Sequence, residues 1–437
     1  MSGPIRLIAP DRRRRAPERE RLSTMVEWGP LAGLDGIDWA GSGHAYGSAE
    51  DVPEQLRALR SADAGERGRA LDALYGNIFH QGSRYEATAH AVPFLLALVA
   101  DPGTPDRAEL VHLLAALAIG FDEVHLPDGV AIAAWRAAVR QARAGGAEGA
   151  RRRFDGWIAQ ADGEAERRAR ERRRDTFDFE RSCRAAEYEL RAYDAVRAGV
   201  PTLCGVLTDP DPRLRAAAAY AVGWFPEEAP RILPRLRDLP ATESVPGVAA
   251  NAIVAIGLLG DAAQIAPLRA YHQGADEPLA RWAAATALAR LGAADLEVIA
   301  ELAACTVDPP ADDEAVPMGF FDGDLRAYAS SSLAALEAGE LPVDVLESIL
   351  AGLSRTSGPS AFAITDAALR LAFGTEALGA PAPAFADLSA ARRRVVATLA
   401  ELDVDTWKWV DFRELLRARD LPDDRAACRR YAGLAQD

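Results

Sequence analysis

The sequence is poor in the residues that build metal sites, disulfide frameworks and membrane spans. Its 437 residues include only four cysteines, scattered without paired spacing, and six histidines, none of them in an HExxH pattern. No apolar run is long enough to span a bilayer, and the arginine-rich N-terminus lacks the apolar region of a secretory signal. We therefore predict reduced thiols in a cytoplasmic protein that holds no metal or other cofactor.

Signatures of common catalytic sites are missing as well. Neither a GxxxxGK phosphate loop nor a GxSxG nucleophile motif occurs in the sequence. Lysine is nearly absent, since Lys408 is the only one among 50 basic residues, and the net charge is −15. An acidic balance of this size disfavours non-specific nucleic-acid binding. We assign no catalytic residue, and the sequence favours a non-enzymatic protein.

The sequence has instead a recurring helix pattern, clearest between residues 209 and 223. An acidic residue lies four positions before Arg215, and small or apolar residues lie three, six and seven positions after it, on one helix face. The same surroundings recur around Arg67, Arg281 and Arg326. Prolines lie fourteen residues before three of these arginines and mark the first turn of a preceding helix. The unit is therefore a helix, a short turn and a second helix.

The repeat spacing and its charged residues predict how the units stack. Equivalent positions 215, 249 and 281 are 34 and 32 residues apart, a period typical of a solenoid. We expect each acidic residue to cap its helix and to pair with the arginine one turn later, as a structural ladder. The predicted pairs are Asp63 with Arg67, Asp211 with Arg215, Glu277 with Arg281, and Asp322 with Arg326.

These segments resemble HEAT repeats, in particular the short variant of the phycobilisome-lyase type. The matching stretches are DPRLRAAAAYAVG at 211–223 and PLARWAAATALARLG at 278–292. The resemblance covers about 51–120 and 193–373, and the whole chain also looks like HEAT-repeat proteins of actinobacteria. It implies an all-α fold, an α-solenoid of about seven HEAT-like helix pairs whose second helices line a concave face.

The repeats divide the chain into five segments. We predict a disordered or loop segment at 1–45, repeats one and two at 46–120, and a charged helical insertion at 121–185. Repeats three to seven follow at 186–375, and a linker with a C-terminal helical cap occupies 376–437. Mixed arginine and glutamate in the insertion predict a solvated helix with ion pairs, and the alternative is a basic ridge that contacts an acidic partner.

Two groups of residues are candidates for an interaction surface. One is an unusually polar turn, whose alternative role is to cap neighbouring helix ends. The other consists of aromatic residues on second helices, whose alternative role is core packing. The candidates are His80, Arg84 and Tyr85 in the turn, and Tyr220, Trp224 and Trp282 on the second helices.

The repeat architecture favours a scaffold over an enzyme. An extended concave surface suits a protein partner, and the acidic balance favours one with basic segments. We therefore predict a non-catalytic scaffold or adaptor, with nucleic acid and membranes not expected as partners. The resemblance leaves open a HEAT-like alkylpurine DNA glycosylase, in which Arg67, Arg215, Arg281 and Trp282 would line a DNA groove. A bilin-lyase-like role has only the repeat subtype in its favour.

Overall fold

The computed structural model describes residues 29–161, 163–311, 315–336, 341–342, 344–374 and 383–435. This part of the chain is largely helical, so the prediction of a helical protein is confirmed. Residues 1–28 of the predicted disordered or loop segment and residues 376–382 of the predicted linker and cap segment lie outside the described residues.

The described residues contain 22 α-helices. The first eleven are α1 Val52–Ala58, α2 Ala64–Asn77, α3 Glu86–Ala100, α4 Arg107–Ile119, α5 Ile132–Ala159, α6 Glu164–Thr176, α7 Phe179–Ala198, α8 Val200–Gly205, α9 Pro212–Val222, α10 Ala229–Leu236 and α11 Leu239–Thr242. The others are α12 Pro246–Leu259, α13 Ile265–Gly274, α14 Pro278–Arg290, α15 Leu296–Val307, α16 Leu325–Ala334, α17 Asp344–Leu353, α18 Ala361–Phe373, α19 Ala390–Glu401, α20 Val404–Trp407, α21 Val410–Arg417 and α22 Arg425–Tyr431.

Two antiparallel hairpins of two-residue strands complete the N-terminal part. β1 Gly43–His44 pairs with β2 Gly47–Ser48, and β3 Phe79–His80 pairs with β4 Ser83–Arg84. The region before α1, predicted as a loop, contributes to the core, because Leu34 and Trp39 are buried. The Trp39 indole N–H donates to the carbonyl of Leu34 at 2.9 Å, which satisfies its only polar atom.

The helices pack in neighbouring pairs that follow the chain. Within pairs, α1 packs on α2, α3 on α4, α13 on α14, α15 on α16, and α17 on α18. The second helices of successive pairs also contact one another, in the order α4, α9, α12, α14, α16 and α18. After the charged insertion, α7 packs on both α3 and α4, so the pairs continue across the interruption.

Small residues let the second helices approach closely. A Cβ atom added at Gly257 of α12 would lie 2.6 Å from the Cα atom of Ala287 in α14, closer than a side chain allows. At Gly223, directly after α9, an added Cβ atom would lie 3.1 Å from that of Ala255. The alanine-rich face predicted from the repeat is therefore the contact face between consecutive second helices.

The arginines expected to form a ladder have a shared geometry, but their partners differ from the expected ones. One terminal nitrogen of each guanidinium donates to the two backbone carbonyls five and six residues earlier, at Arg67, Arg215 and Arg281. The carboxylate partner of each comes from the next helix pair. Arg67 pairs with Asp106 at 2.6 Å, Arg215 with Glu243 at 2.8 Å, and Arg281 with Glu301 at 3.6 Å.

Two of the four acidic residues predicted at helix starts act as caps. Asp63 and Asp211 accept backbone N–H groups in the first turns of α2 and α9, whereas Glu277 precedes α14 without a side-chain cap. The predicted pairing of these acidic residues with the arginine one turn later is therefore wrong, because the arginines pair with carboxylates of the next helix pair. At the fourth position Asp324, not Asp322, caps α16. Arg326 donates to the carbonyl of Val307 at 3.2 Å.

The insertion consists of α5 and α6, which form a charged helical arm. α6 packs on α5, and the helical path of α5 is interrupted at Gly146, where φ is 62°. Pairs four residues apart join Glu148 to Arg152 and Glu166 to Arg170. At the other end of the chain, α19 and α21 pack on α18 and cover the last helix pair. No helix of the described residues combines the length and apolar character that a bilayer span requires.

We expect the substitution Arg215→Ala to destabilise the protein by about 2 kcal/mol, because it removes charge-assisted hydrogen bonds and leaves Glu243, only 7% exposed, without its cation. Urea-unfolding midpoints measure the effect. Arg231→Ala is the matched control, since Arg231 is 56% exposed and its pair with Glu228 is worth under about 0.5 kcal/mol. Equal midpoints for the two variants would contradict a stabilising role for Arg215.

Candidate functional site

Two segments outside the α-helices, each containing a short 3-10 turn, lie across the second helices. In segment 315–323, Gly319 N–H donates to the side-chain oxygen of Asn251 on α12 at 3.0 Å. Arg213 on α9 donates to the carbonyl of Ala315 at 2.9 Å. In segment 121–130, the carbonyl of Asp128 accepts a hydrogen bond from Arg290 on α14 at 2.7 Å. These contacts join residues 68 to 162 positions apart in the chain.

Two of the three aromatic residues predicted as contact residues, Tyr220 and Trp224, lie beneath segment 315–323. The ring of Phe320 lies 4.9 Å from that of Tyr220 and 5.3 Å from that of Trp224. Trp282 packs edge-on against Tyr328 at 5.7 Å. Trp224 and Trp282 have no exposed surface, and Tyr220 is 8% exposed. Core packing accounts for the positions of all three rings, and Tyr220 and Trp224 would reach an interface only if segment 315–323 left them.

The polar turn forms the hairpin β3–β4 and splits into an exposed and a buried part. Gln81 and Gly82 at its tip have φ values of 49° and 80°. The ring of His80 is half-buried and lies 3.3 Å from the Tyr46 hydroxyl. Arg84 is 6% exposed, and its guanidinium lies 6.0 Å from the Trp135 ring of α5.

The buried side of this turn connects the first helix pairs to helices α5 and α7. A second contact of Arg84 is with Glu189 of α7 at 3.8 Å, and burial lowers the pKa of its guanidinium. Tyr85 caps α3, and its N–H donates to the Thr88 hydroxyl at 2.8 Å. Of the three predicted turn residues, Arg84 and Tyr85 therefore have structural contacts, and His80 faces outward beside Tyr46.

The residues considered for a DNA groove are engaged elsewhere. Arg67, Arg215 and Arg281 hold carbonyl groups and carboxylates within the protein, and Trp282 is fully buried. None of the four offers a free cation or an exposed ring for a phosphate or base.

A buried carboxyl group joins the two segments where they meet. The side chain of Asp122 accepts the N–H of Phe321 at 2.9 Å and the hydroxyl of Tyr220 at 3.4 Å on the same oxygen. Phe321 and Asp322 have φ values of 57° and 49°, which are uncommon for residues other than glycine. Backbone strain of this kind persists only where surrounding contacts over-determine it. We call these four residues, together with Glu123, the Asp122 cluster.

Electrostatics within the Asp122 cluster disfavour the ionised carboxylate. Burial raises the pKa of Asp122 to about 7, the carboxylates of Glu123 and Asp322 add to the rise, and its hydrogen bonds oppose it. The pKa of Glu123 is raised by burial and by Asp322. The contact between the segments is therefore sensitive to protons near neutral pH.

A cleft of about 500 Å³ opens beside this cluster. It lies between segment 121–130 and helices α16, α18 and α21, and three aromatic side chains, Phe321, Phe362 and Trp409, line it. The Trp409 ring is 6.2 Å from that of Phe362, and Trp409 is 39% exposed. The cleft combines apolar walls with an opening to solvent, as ligand and peptide sites do.

Acidic groups surround these aromatic walls. Asp366 pairs with Arg370 at 2.7 Å, and both line the cleft. Glu123 and Asp411 also line it, and neither has an ion pair among the described residues. The cleft therefore offers two carboxylates without an ion pair next to a partly exposed indole, and Lys408 lies 6.0 Å from that ring. This arrangement attracts cationic groups.

Metal-binding groups are absent from the part of the chain that the structure describes. There, no three histidine, cysteine or acidic side chains are placed to hold a metal ion. The four cysteines are free and buried, and burial raises the pKa of three of them, Cys204, Cys305 and Cys428. Neutral buried thiols of this kind are structural.

The substitution Gly247→Ala should displace segment 315–323, because the new Cβ atom would lie 2.0 Å from the backbone oxygen of Val316. We expect a red shift of tryptophan emission and faster proteolysis within the segment. Gly205→Ala is the matched control, since a Cβ atom there meets no atom within 4 Å and the residue is also helical. Identical spectra and cleavage patterns for the two variants would contradict this placement of the segment.

The substitution Asp122→Asn should flatten the pH dependence of stability. A carboxyl whose pKa rises from 3.8 to about 7 on folding stabilises the protein fully below pH 3.8, and this contribution is lost as pH rises towards 7. The apparent melting temperature of the unmodified protein should therefore fall between pH 5 and 8 more steeply than that of the variant. Asp72→Asn, at an exposed position, controls for loss of a charge. Parallel profiles for all three proteins would contradict the raised pKa.

Comparisons with known proteins identify no relative of known function. No protein-family model matches the chain, and no curated protein matches it. Among solved structures, the chain is similar to an engineered protein known from a crystal structure, with 16% sequence identity and a TM-score of 0.28. This similarity covers 88% of the present chain and 97% of the other. A score this low carries no conclusion about family or function.

Proposed function

We propose that this chain is a HEAT-like α-solenoid that acts as a non-catalytic protein-interaction module. The solenoid description rests on the consecutive contacts of the second helices and on the arginine geometry that recurs in three helix pairs. Each arginine joins its own turn to a carboxylate of the next pair, as expected of a one-dimensional stack. About seven such pairs, with the arm as an insertion and α19–α22 as a cap, make up the proposed architecture.

The cleft beside the Asp122 cluster is the proposed binding site. One observation carries this proposal: Trp409 and two unpaired carboxylates, Glu123 and Asp411, line the same opening. An aromatic residue in a partly covered pocket is a frequent centre of binding energy at protein interfaces. The sequence predicted a broad aromatic surface on the second helices, but Tyr220 and Trp224 are covered by Phe320 of segment 315–323. We therefore propose the cleft as the binding site instead.

Charge defines the partner that fits this cleft. A basic side chain at the opening would pair with Glu123 or Asp411 while its alkyl part packs on Trp409. Apolar neighbours of that side chain would fill the space between Phe321 and Phe362. The partner is therefore a protein segment that carries arginine or lysine next to apolar residues, in agreement with the net charge of −15.

Peptide selection tests this function on the full chain. A displayed library of random peptides, selected on the immobilised protein, should yield sequences that combine basic and apolar residues. The affinity of a selected peptide should fall about tenfold or more for Trp409→Ala, the loss expected of a contact at the centre of an interface. Asp411→Asn should reduce it by a smaller factor and should weaken its dependence on salt.

Tyr46→Ala is the matched control, because Tyr46 is a 69% exposed aromatic residue on the β1–β2 hairpin, outside the residues that line the cleft. It should leave the affinity unchanged. Selection that yields no peptides, or peptides that bind Trp409→Ala as tightly as the unmodified protein, would refute the proposed site.

A further inference from the structure

The helical arm formed by α5 and α6 has a charge opposite to that of the rest of the chain. Residues 132–178 contain twelve arginines and eight acidic residues, a net charge of +4. This leaves −19 for the other residues of a chain whose net charge is −15. The arm is therefore a basic element attached to an acidic protein, and its charge calls for an explanation other than solubility.

Half of the arm's arginines have no ion pair among the described residues. Six of the twelve form ion pairs, for example Arg136 with Asp194 at the base of the arm. The other six are exposed and have no ion pair among the described residues. They are Arg140, Arg151, Arg153, Arg167, Arg172 and Arg173. Unpaired guanidiniums at this density form a surface suited to carboxylates or phosphates.

An aromatic cleft lies among these arginines, where α5, α6 and the start of α7 meet. Its volume is about 580 Å³, and Phe154, Trp157, Phe177, Arg173 and Arg181 line it. The rings of Phe154 and Phe177 are 5.0 Å apart, and Phe177 is 40% exposed. The site therefore presents two cations beside an accessible apolar surface.

We propose that the arm is a docking surface for an acidic segment of a protein partner, which binds independently of the cleft beside Asp122. Carboxylates of the segment pair with Arg173 and Arg181, and an apolar side chain of the same segment packs on Phe154 and Phe177. The partner segment needs carboxylates next to an apolar residue because the cleft is lined by both arginines and aromatic rings.

Two observations favour an acidic protein over nucleic acid. The guanidiniums of Arg170 and Arg173 lie 4.8 Å and 6.0 Å from the Trp157 ring, so a base that stacked on this ring would compete with cations already in contact with it. Acidic residues such as Glu164 and Glu171 alternate with the arginines of α6 and would repel a continuous phosphate backbone. A protein segment can place neutral or basic groups opposite them.

Fluorescence anisotropy with the full chain tests this surface. The probe is a fluorescein-labelled peptide of glutamate, serine and phenylalanine, compared with one in which phenylalanine is replaced by serine and one in which glutamate is replaced by lysine. Only the first should bind tightly at low salt. The double variant Arg173→Ala and Arg181→Ala should weaken its binding about tenfold, the size expected for two exposed charge contacts. Phe177→Ala should weaken it without changing its dependence on salt.

The controls separate this surface from other acidic or basic sites. Arg57→Ala removes an exposed arginine of α1 and should leave peptide binding unchanged. Trp409→Ala should also leave it unchanged, so a failure of the arm and a failure of the proposed cleft are distinguishable. Circular dichroism verifies that each variant is folded.

Two results would overturn the proposal. One is a glutamate peptide that fails to bind, or that binds the double variant and the unmodified protein equally. The other is a single-stranded oligonucleotide that binds more tightly than the peptide and loses affinity in the same double variant. The second result would assign the arm to nucleic acid.

Discussion

Close approach of the second helices is the constraint on which the rest of the fold depends. At Gly257 and Gly223 the neighbouring helix lies so near that a methyl group would overlap it or touch it tightly. Small residues permit this distance, and they leave no room for large side chains between the helices. Tyr220, Trp224 and Trp282 are therefore packed to one side of the contact, where their apolar area has to be covered by another part of the chain. Segments 121–130 and 315–323 supply part of that cover.

The sequence predicted the helix pairs because their determinants are local and periodic. The helix start, the face of small residues and the arginine each lie within a single helix pair, and they recur from one pair to the next. It misassigned the partners of Arg67, Arg215 and Arg281 because a carboxylate at the start of a helix satisfies the N–H groups of the first turn, while the long arginine side chain reaches the next unit. At Arg326 the repeat is also displaced, since the cap has moved to Asp324.

The candidate site could not be predicted from the sequence, because its contacts join residues that are far apart in the chain. The N–H of Phe321 donates to Asp122, which lies 199 residues earlier in the chain. The Trp409 ring, just before α21, packs against Phe362 on α18. Periodicity within a unit holds no information on such contacts. One signal was available: the loop after α15 is long and rich in proline and aspartate, and long loops in compact repeats are commonly functional. The Phe-Phe pair at its end, Phe320 and Phe321, marks the part that returns to the core.

Net charge alone pointed to one kind of partner, whereas the distribution of charge supports two proposed surfaces. If the basic arm were free to fold back onto the acidic part of the chain, its arginines would pair with the carboxylates there, and neither charged surface would remain exposed. Arg136 at the start of α5 is instead tied to Asp194 at 2.5 Å and to Glu227 at 3.3 Å, and Tyr193 donates to Glu227 at 2.6 Å. Arg84 adds a contact with Trp135 from the β3–β4 hairpin. These contacts hold the base of the arm through Arg136 and Trp135, while six of its arginines stay exposed and Glu123 and Asp411 stay without an ion pair among the described residues. The two charged surfaces are therefore separate, and the two proposed partners would not compete for one site.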